Sequence, residues 1–173
     1  MTSPMLARPR QLFADLGSSA IERGLADPRL SQFYEDMRRA GSVTGPELQK
    51  HLPYLSLCAL PDDTGTAPPI VYAGRLSSQV QLFGCVWSEQ SGEAMVTPDP
   101  ELERAAAGGY LSALESGTYY GYGRTGIRLG GRMHDVAYER LIMPLRPRPD
   151  SPVRMLAYFG VIQALEPQGP APG

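Results

Sequence analysis

The sequence predicts an α+β domain: a five-stranded antiparallel sheet with helices across one face and N-terminal helices covering the other. Three observations predict it. A pair of short β-prone runs stands in the first half, at residues 54–60 and 70–76. Three longer apolar runs follow near the C-terminus with short connections, which makes them a meander rather than crossover units. The last run is apolar on both sides: Val153, Met155, Ala157, Phe159 and Val161 alternate with Leu156, Tyr158, Ile162 and Ala164. An antiparallel strand open to water on one side would alternate with polar residues, so both faces of this sheet need cover.

The bulk properties bound the partners. At 173 residues the chain has room for one respectable core, and its net charge of -2 gives nucleic acid or an anionic membrane no electrostatic pull. Lys50 is the only lysine among many arginines, a compositional bias rather than a binding device. With only Cys58 and Cys85 and no apolar N-terminal segment, no disulfide framework is expected and the cytoplasm is the expected compartment. No apolar run approaches the roughly 20 residues needed to cross a bilayer.

The elements read in order as follows. Residues 1–26 form a flexible leader, in which Leu12, Leu16, Ile21 and Leu25 sketch a helix weakened by Gly17 and the Ser18-Ser19 pair. Residues 27–166 form the single domain and 167–173 a proline-glycine tail. Asp27 caps a helix, Pro28 suits its first position, Leu30, Phe33, Tyr34 and Met37 form its stripe, and Gly41 closes it. That stripe is the natural cover for one sheet face, and the same four residues are candidates for an interface. Thr44 to Glu47 spells a capping box, T-G-P-E, ahead of a short helix carrying Leu48 and Leu52. The two strands at residues 54–60 and 70–76 follow as an antiparallel pair joined by a turn-rich segment. Residues 77–83 make two helical turns ending at Gly84, and residues 85–97 show no dominant period. Thr97, with Pro98, Asp99 and Glu101, opens the clearest helix, with Leu102, Ala106, Gly109, Tyr110, Ala113 and Leu114 on one face. The small Ala106 and Gly109 permit close packing on a sheet. Strands at residues 117–129, 133–145 and 153–165 complete the domain, the first two joined by a tight turn at Gly130-Gly131.

Gly121-Tyr122-Gly123-Arg124-Thr125-Gly126 has the G-x-G-x-x-G spelling of a dinucleotide loop. The chain after it turns back at Gly130-Gly131 and opens no helix, so no helix N-terminus faces a phosphate. These glycines instead predict a bulged or twisted stretch where the backbone passes close to a neighbour.

Two strands, short helices ending in one longer helix, and a three-stranded meander, preceded by helices, is the element order of the PAS superfamily. The wording agrees: "LSQFYEDMRRAG", "LPYLSLCAL", "TYYGYGRTGI", "YERLIMPLRP" and "VRMLAYFGVIQAL" resemble the bacterial PAS-like family of short, often stand-alone regulators of alphaproteobacteria. In particular, Tyr138-Glu139-Arg140 leads into the aliphatic-proline-leucine strand Leu141 to Leu145. The resemblance covers roughly residues 30–165. It implies a sheet with helices across one face, a small cavity or packed core, and a role in sensing or protein contact, with no catalysis.

Candidate sites follow. His51, His134, Cys58 and Cys85 show none of the zinc spacings, and neither histidine falls in the helical lobe from which haem-binding PAS domains take their ligand. Cys85, in "FGCVW", is not in a flavin-adduct context, so no cofactor is expected. His134 and Asp135 are strand neighbours that point to opposite faces, and no enzyme motif is present. The aromatic and arginine residues are more informative. Arg75, Trp87, Tyr110, Tyr122, Arg140 and Tyr158 are the candidate pocket, with Tyr72 and Tyr120 beside them, and Arg75 or Arg140 would supply a charged donor to an anionic ligand. Core packing is the default for such residues, and the expectation for Arg140 is a structural pair with a carboxylate such as Glu139 of a facing chain or Glu101 of the helix. The expectation is a cytoplasmic regulatory domain that signals through a protein partner, forms a homodimer and takes a small metabolite as a further candidate partner. A small enzyme or ligand carrier using a sheet-helix cavity is the alternative.

Overall fold

The computed structural model describes residues 11–88 and 100–169. The chain is α+β, with a six-stranded antiparallel sheet in the order β1-β4-β5-β6-β2-β3. The strands are β1 (Gln11–Asp15), β2 (Ser56–Cys58), β3 (Ile70–Ala73), β4 (Tyr119–Leu129), β5 (Arg132–Leu145) and β6 (Met155–Pro167). The helices are α1 (Ser18–Glu22), α2 (Pro28–Arg39), α3 (Pro46–Gln49), α4 (Ser78–Phe83), α5 (Cys85–Ser88) and α6 (Pro100–Ser116), with a 3-10 turn at Leu52–Tyr54.

The sixth strand corrects the sequence expectation. Residues 11–15 lie in β1, which pairs with β4 from Gln11 opposite Thr125 to Asp15 opposite Gly121, where the sequence suggested a weak helix in a leader. Five residues have too little periodicity to announce a strand, and the partner edge decides their conformation. The partner is also where the G-x-G-x-x-G glycines stand. A Cβ on Gly121 would lie 2.5 Å from the Ala14 carbonyl oxygen, and one on Gly123 would lie 2.7 Å from the Tyr138 ring. The glycines therefore serve close approach of β1 and of the Tyr138 ring. The expected bulge lies elsewhere, between Ala137 and Tyr138 in the β5-β6 ladder, while β4 pairs with β5 without a break.

The meander forms as its turns require. Leu129 pairs with Arg132 across Gly130 and Gly131, whose φ values of 57° and 78° are those of a two-residue hairpin turn. β2 and β3 pair antiparallel, shorter than the apolar runs that foretold them, and β2 joins the meander through β6.

Both faces are covered. On one, α2 lays Leu30, Phe33, Tyr34 and Met37 on Tyr120, Leu141, Met143, Ala157 and Phe159, and all four of its stripe residues are buried. Asp27 caps α2 by accepting from the Arg29 N–H, 2.8 Å away. This corrects the interface reading of the stripe: these side chains are consumed by their own sheet and present nothing to a partner. The T-G-P-E box also fails to form. Gly45 is the N-cap of α3 without a side-chain bond, because the Thr44 segment is drawn into backbone pairing with Arg146 and Glu47 pairs with Lys50. On the opposite face, α4 and α6 cover Ile142, Leu156 and Tyr158. Ser77 caps α4 at Val80 N–H, and Gly84 ends it with φ at 88°. Thr97, the expected opener of α6, lies outside the described residues.

Candidate functional site

The two faces receive adjacent side chains of β5 with opposite charges. Glu139 points to the α2 face and is 4% exposed; Arg140 points to the α6 face and is 2% exposed. Neighbouring strand residues project to opposite sides, so a charge pair adjacent in sequence is separated by the sheet itself.

Glu139 is well served. Its Oε1 accepts from the Asp27 N–H at 2.6 Å, and its Oε2 accepts from Gln163 at 3.0 Å and from the Tyr120 hydroxyl at 3.3 Å. It thereby pins the start of α2 to the sheet. Burial first, then the neighbouring Glu139 charge and hydrogen bond, push the Tyr120 phenol up to about 12.

Arg140 is poorly served. Among the described residues its single hydrogen bond runs from Nη1 to the Ala106 carbonyl at 3.0 Å, and its Nε is buried without a partner, as is that of Arg146. No carboxylate among the described residues pairs with it; Glu139 is on the wrong face, and the side chain of Glu101 lies outside the described set. The guanidinium instead lies over the rings of Tyr119, at 4.9 Å, and Phe13, at 5.5 Å. Gly109 makes room for it, since a Cβ there would stand 2.8 Å from Nη2. Burial works against the charge, the groups around it, Tyr158 first, work for it, and the net direction is upward; a guanidinium stays protonated in a protein in any case. Burial in turn pushes Tyr158, Tyr110 and Tyr138 up, which keeps them neutral.

Beside this cation lies a cavity between α4, α6 and the sheet. It gives about 50 Å³ of room to the centre of a water-sized molecule, against the roughly 10–15 Å³ that one water needs. Tyr110, Tyr138 and Tyr158 line it together with Ser78 and Gln79 of α4, and its remaining walls are mostly apolar, among them Leu82, Phe83, Val136 and Ile162. Gly160 of β6 lets α4 seat there, because a Cβ would meet the Ser78 hydroxyl at 2.3 Å.

The predicted site residues divide. Tyr110 and Tyr158 line the cavity and stack at 6.0 Å. Arg140 stands behind the wall they share. Trp87 is buried against Phe83, at 5.2 Å, outside the lining. Tyr122 is half-buried on the α2 side of β4, since it shares parity with Tyr120, and so cannot enter the cavity. Arg75 is exposed in the turn after β3, and Tyr72 is exposed on that edge strand, its hydroxyl donating to the Leu52 carbonyl. Sequence reading missed Ser78, Gln79 and Tyr138. Tyr138 was detectable, since it shares strand parity with Arg140; the two α4 residues are polar and give no signal until α4 docks.

The other imagined constellation comes apart. His51 Nε2 lies 2.7 Å from the buried Asp36, and His134 bonds the Arg132 carbonyl on the far hairpin. Cys58 is wholly buried in the α6-side core, its thiol pushed up to about 12 by burial. The side chain of Cys85 lies outside the described set. No group of three metal-ligating side chains occurs among the described residues, and no helix among them is long and apolar enough to cross a membrane. No family model, curated protein or solved structure matches the chain.

Proposed function

We propose that the chain is a PAS-like sensory domain that holds a small molecule between α4, α6 and the sheet and passes its occupancy on by protein contact. The observation that carries this reading is the cavity on the helix-covered face, lined by neutral tyrosines and backed by a buried cation that the described residues leave under-bonded. A buried cation whose donors the described residues do not all answer is costly, and a bound ligand would relieve that cost. The element order of two strands, short helices, one longer helix and a meander supports the PAS-like assignment, with β1 as an addition at the β4 edge. With the α2 stripe spent on the sheet, output by contact falls to the edge strand β3 and the turn after it, where Val71, Tyr72 and Leu76 are exposed.

Native mass spectrometry of the purified full chain, before and after incubation with a small-metabolite extract, tests the reading. A retained small-molecule mass, lost in an Ile162→Trp variant that fills the cavity, is the expected result. A chain that keeps and takes up nothing would remove the sensor reading and leave the cavity as a packing defect.

A further inference from the structure

We propose that the cavity selects a small organic monoanion, one carboxylate on a compact apolar body, with its head towards Arg140 and its body against Leu82, Phe83, Val136 and Ile162. The inference rests on the small-molecule reading above and names the class of ligand for that site. Three features carry it, each independent of the others.

The first is the charge balance. Arg140 is a fully formed cation at 2% exposure with five N–H donors and, among the described residues, one hydrogen bond, to the Ala106 carbonyl, and an unpartnered Nε. The described residues supply it with π faces and phenols but with no anion, and an anion entering from solvent would complement it. The second is position. Ala106, Tyr110, Tyr138 and Tyr158 belong both to the cavity wall and to the immediate surroundings of the guanidinium. An anion on the cavity side therefore feels the cation across one layer of side chains in a medium of low dielectric, where a charge interaction is far stronger than in water. Neutral phenols and the Ser78 and Gln79 side chains, with Gln79 Oε1 accepting from the Ser56 and Ser78 hydroxyls, are the polar groups at hand for the head. The third is the limit to one charge. Among the described residues the rest of the lining is apolar apart from the half-buried Glu103, so a second negative group would meet greasy walls. The size of the cavity agrees with a compact body.

The test compares acids with their own amides on the full chain. Hexanoate and benzoate are titrated calorimetrically against hexanamide and benzamide, with adipate as the dianion. The expected result is saturable binding of at least one monocarboxylate, about tenfold or more tighter than its amide and than adipate, as befits a charge interaction in a site of low dielectric. In Arg140→Met, checked as folded by circular dichroism, the acid and the amide should bind alike. Equal binding of acid and amide by the natural chain overturns the anion inference while leaving the small-molecule reading intact. Binding of neither overturns both. Because the decisive comparison uses the unaltered protein, failure of the variant to fold does not protect the inference.

Discussion

The two faces of the sheet solve the same problem in opposite ways. On the α2 face the buried charge, Glu139, receives donors from a helix start, a strand glutamine and a tyrosine, and the apolar stripe of α2 fills the space around it. On the α6 face the buried charge, Arg140, receives one carbonyl and a ring of aromatic faces, and a cavity opens beside it. The difference teaches that burial by itself does not mark a functional group. A charge whose bonds are completed within the chain is a fastener, and a charge whose bonds are left incomplete next to space calls for another explanation, here the proposed ligand.

Four changes break or sharpen that contrast. Phe33 is wholly buried between Phe159, at 5.6 Å, and His51, at 5.2 Å, so Phe33→Ala should cost about 3–5 kcal/mol in urea unfolding. A loss under about 1 kcal/mol would mean that α2 is not a structural lid. Glu139→Ala should cost about 1–3 kcal/mol, because it strands the Asp27 N–H, the Tyr120 hydroxyl and the Gln163 amide. Faster amide exchange in residues 27–30 would locate that loss at the start of α2.

A smaller effect concerns acid. Burial alone would raise the Asp36 carboxyl, but hydrogen bonds from His51, Gln32 and Arg39 outweigh it and hold the group below its ordinary value. A depressed folded value stabilises the protein above the unfolded one and is lost as pH falls through the folded value, so its share of stability fades below about pH 4. Comparing urea midpoints of the natural chain and Asp36→Asn between pH 6 and pH 2 should show a flatter acid limb in the variant. The smallest expected change is in Arg140→Met without ligand, within about 1 kcal/mol of the natural chain, since loss of ring contacts is offset by release of a desolvated charge. A loss comparable with that of Glu139→Ala would make both charges fasteners and erase the contrast between the faces.

Much of this plan was legible in the order of residues. The cap at Asp27 and Pro28, the stripe from Leu30 to Met37, the Gly130-Gly131 turn and the two apolar parities of β6 are local signals that survive folding unchanged. So was the demand for cover on both faces, and with it the sheet's antiparallel meander. Local patterning could not reveal β1, because five residues take their conformation from the β4 edge they meet, nor could it deny the capping box that backbone pairing with Arg146 displaces. It named Arg140, Tyr110 and Tyr158 by residue type but added Tyr122, Trp87 and Arg75, since type says nothing about which face or which element a side chain joins. Sequence by itself determined where charge and apolar surface lie along each strand, for strand parity is a property of the backbone. Only the tertiary structure decided that, among the described residues, one of two adjacent buried charges would be answered in full and the other in part, because donors and acceptors distant in the chain meet only when the helices close on the sheet.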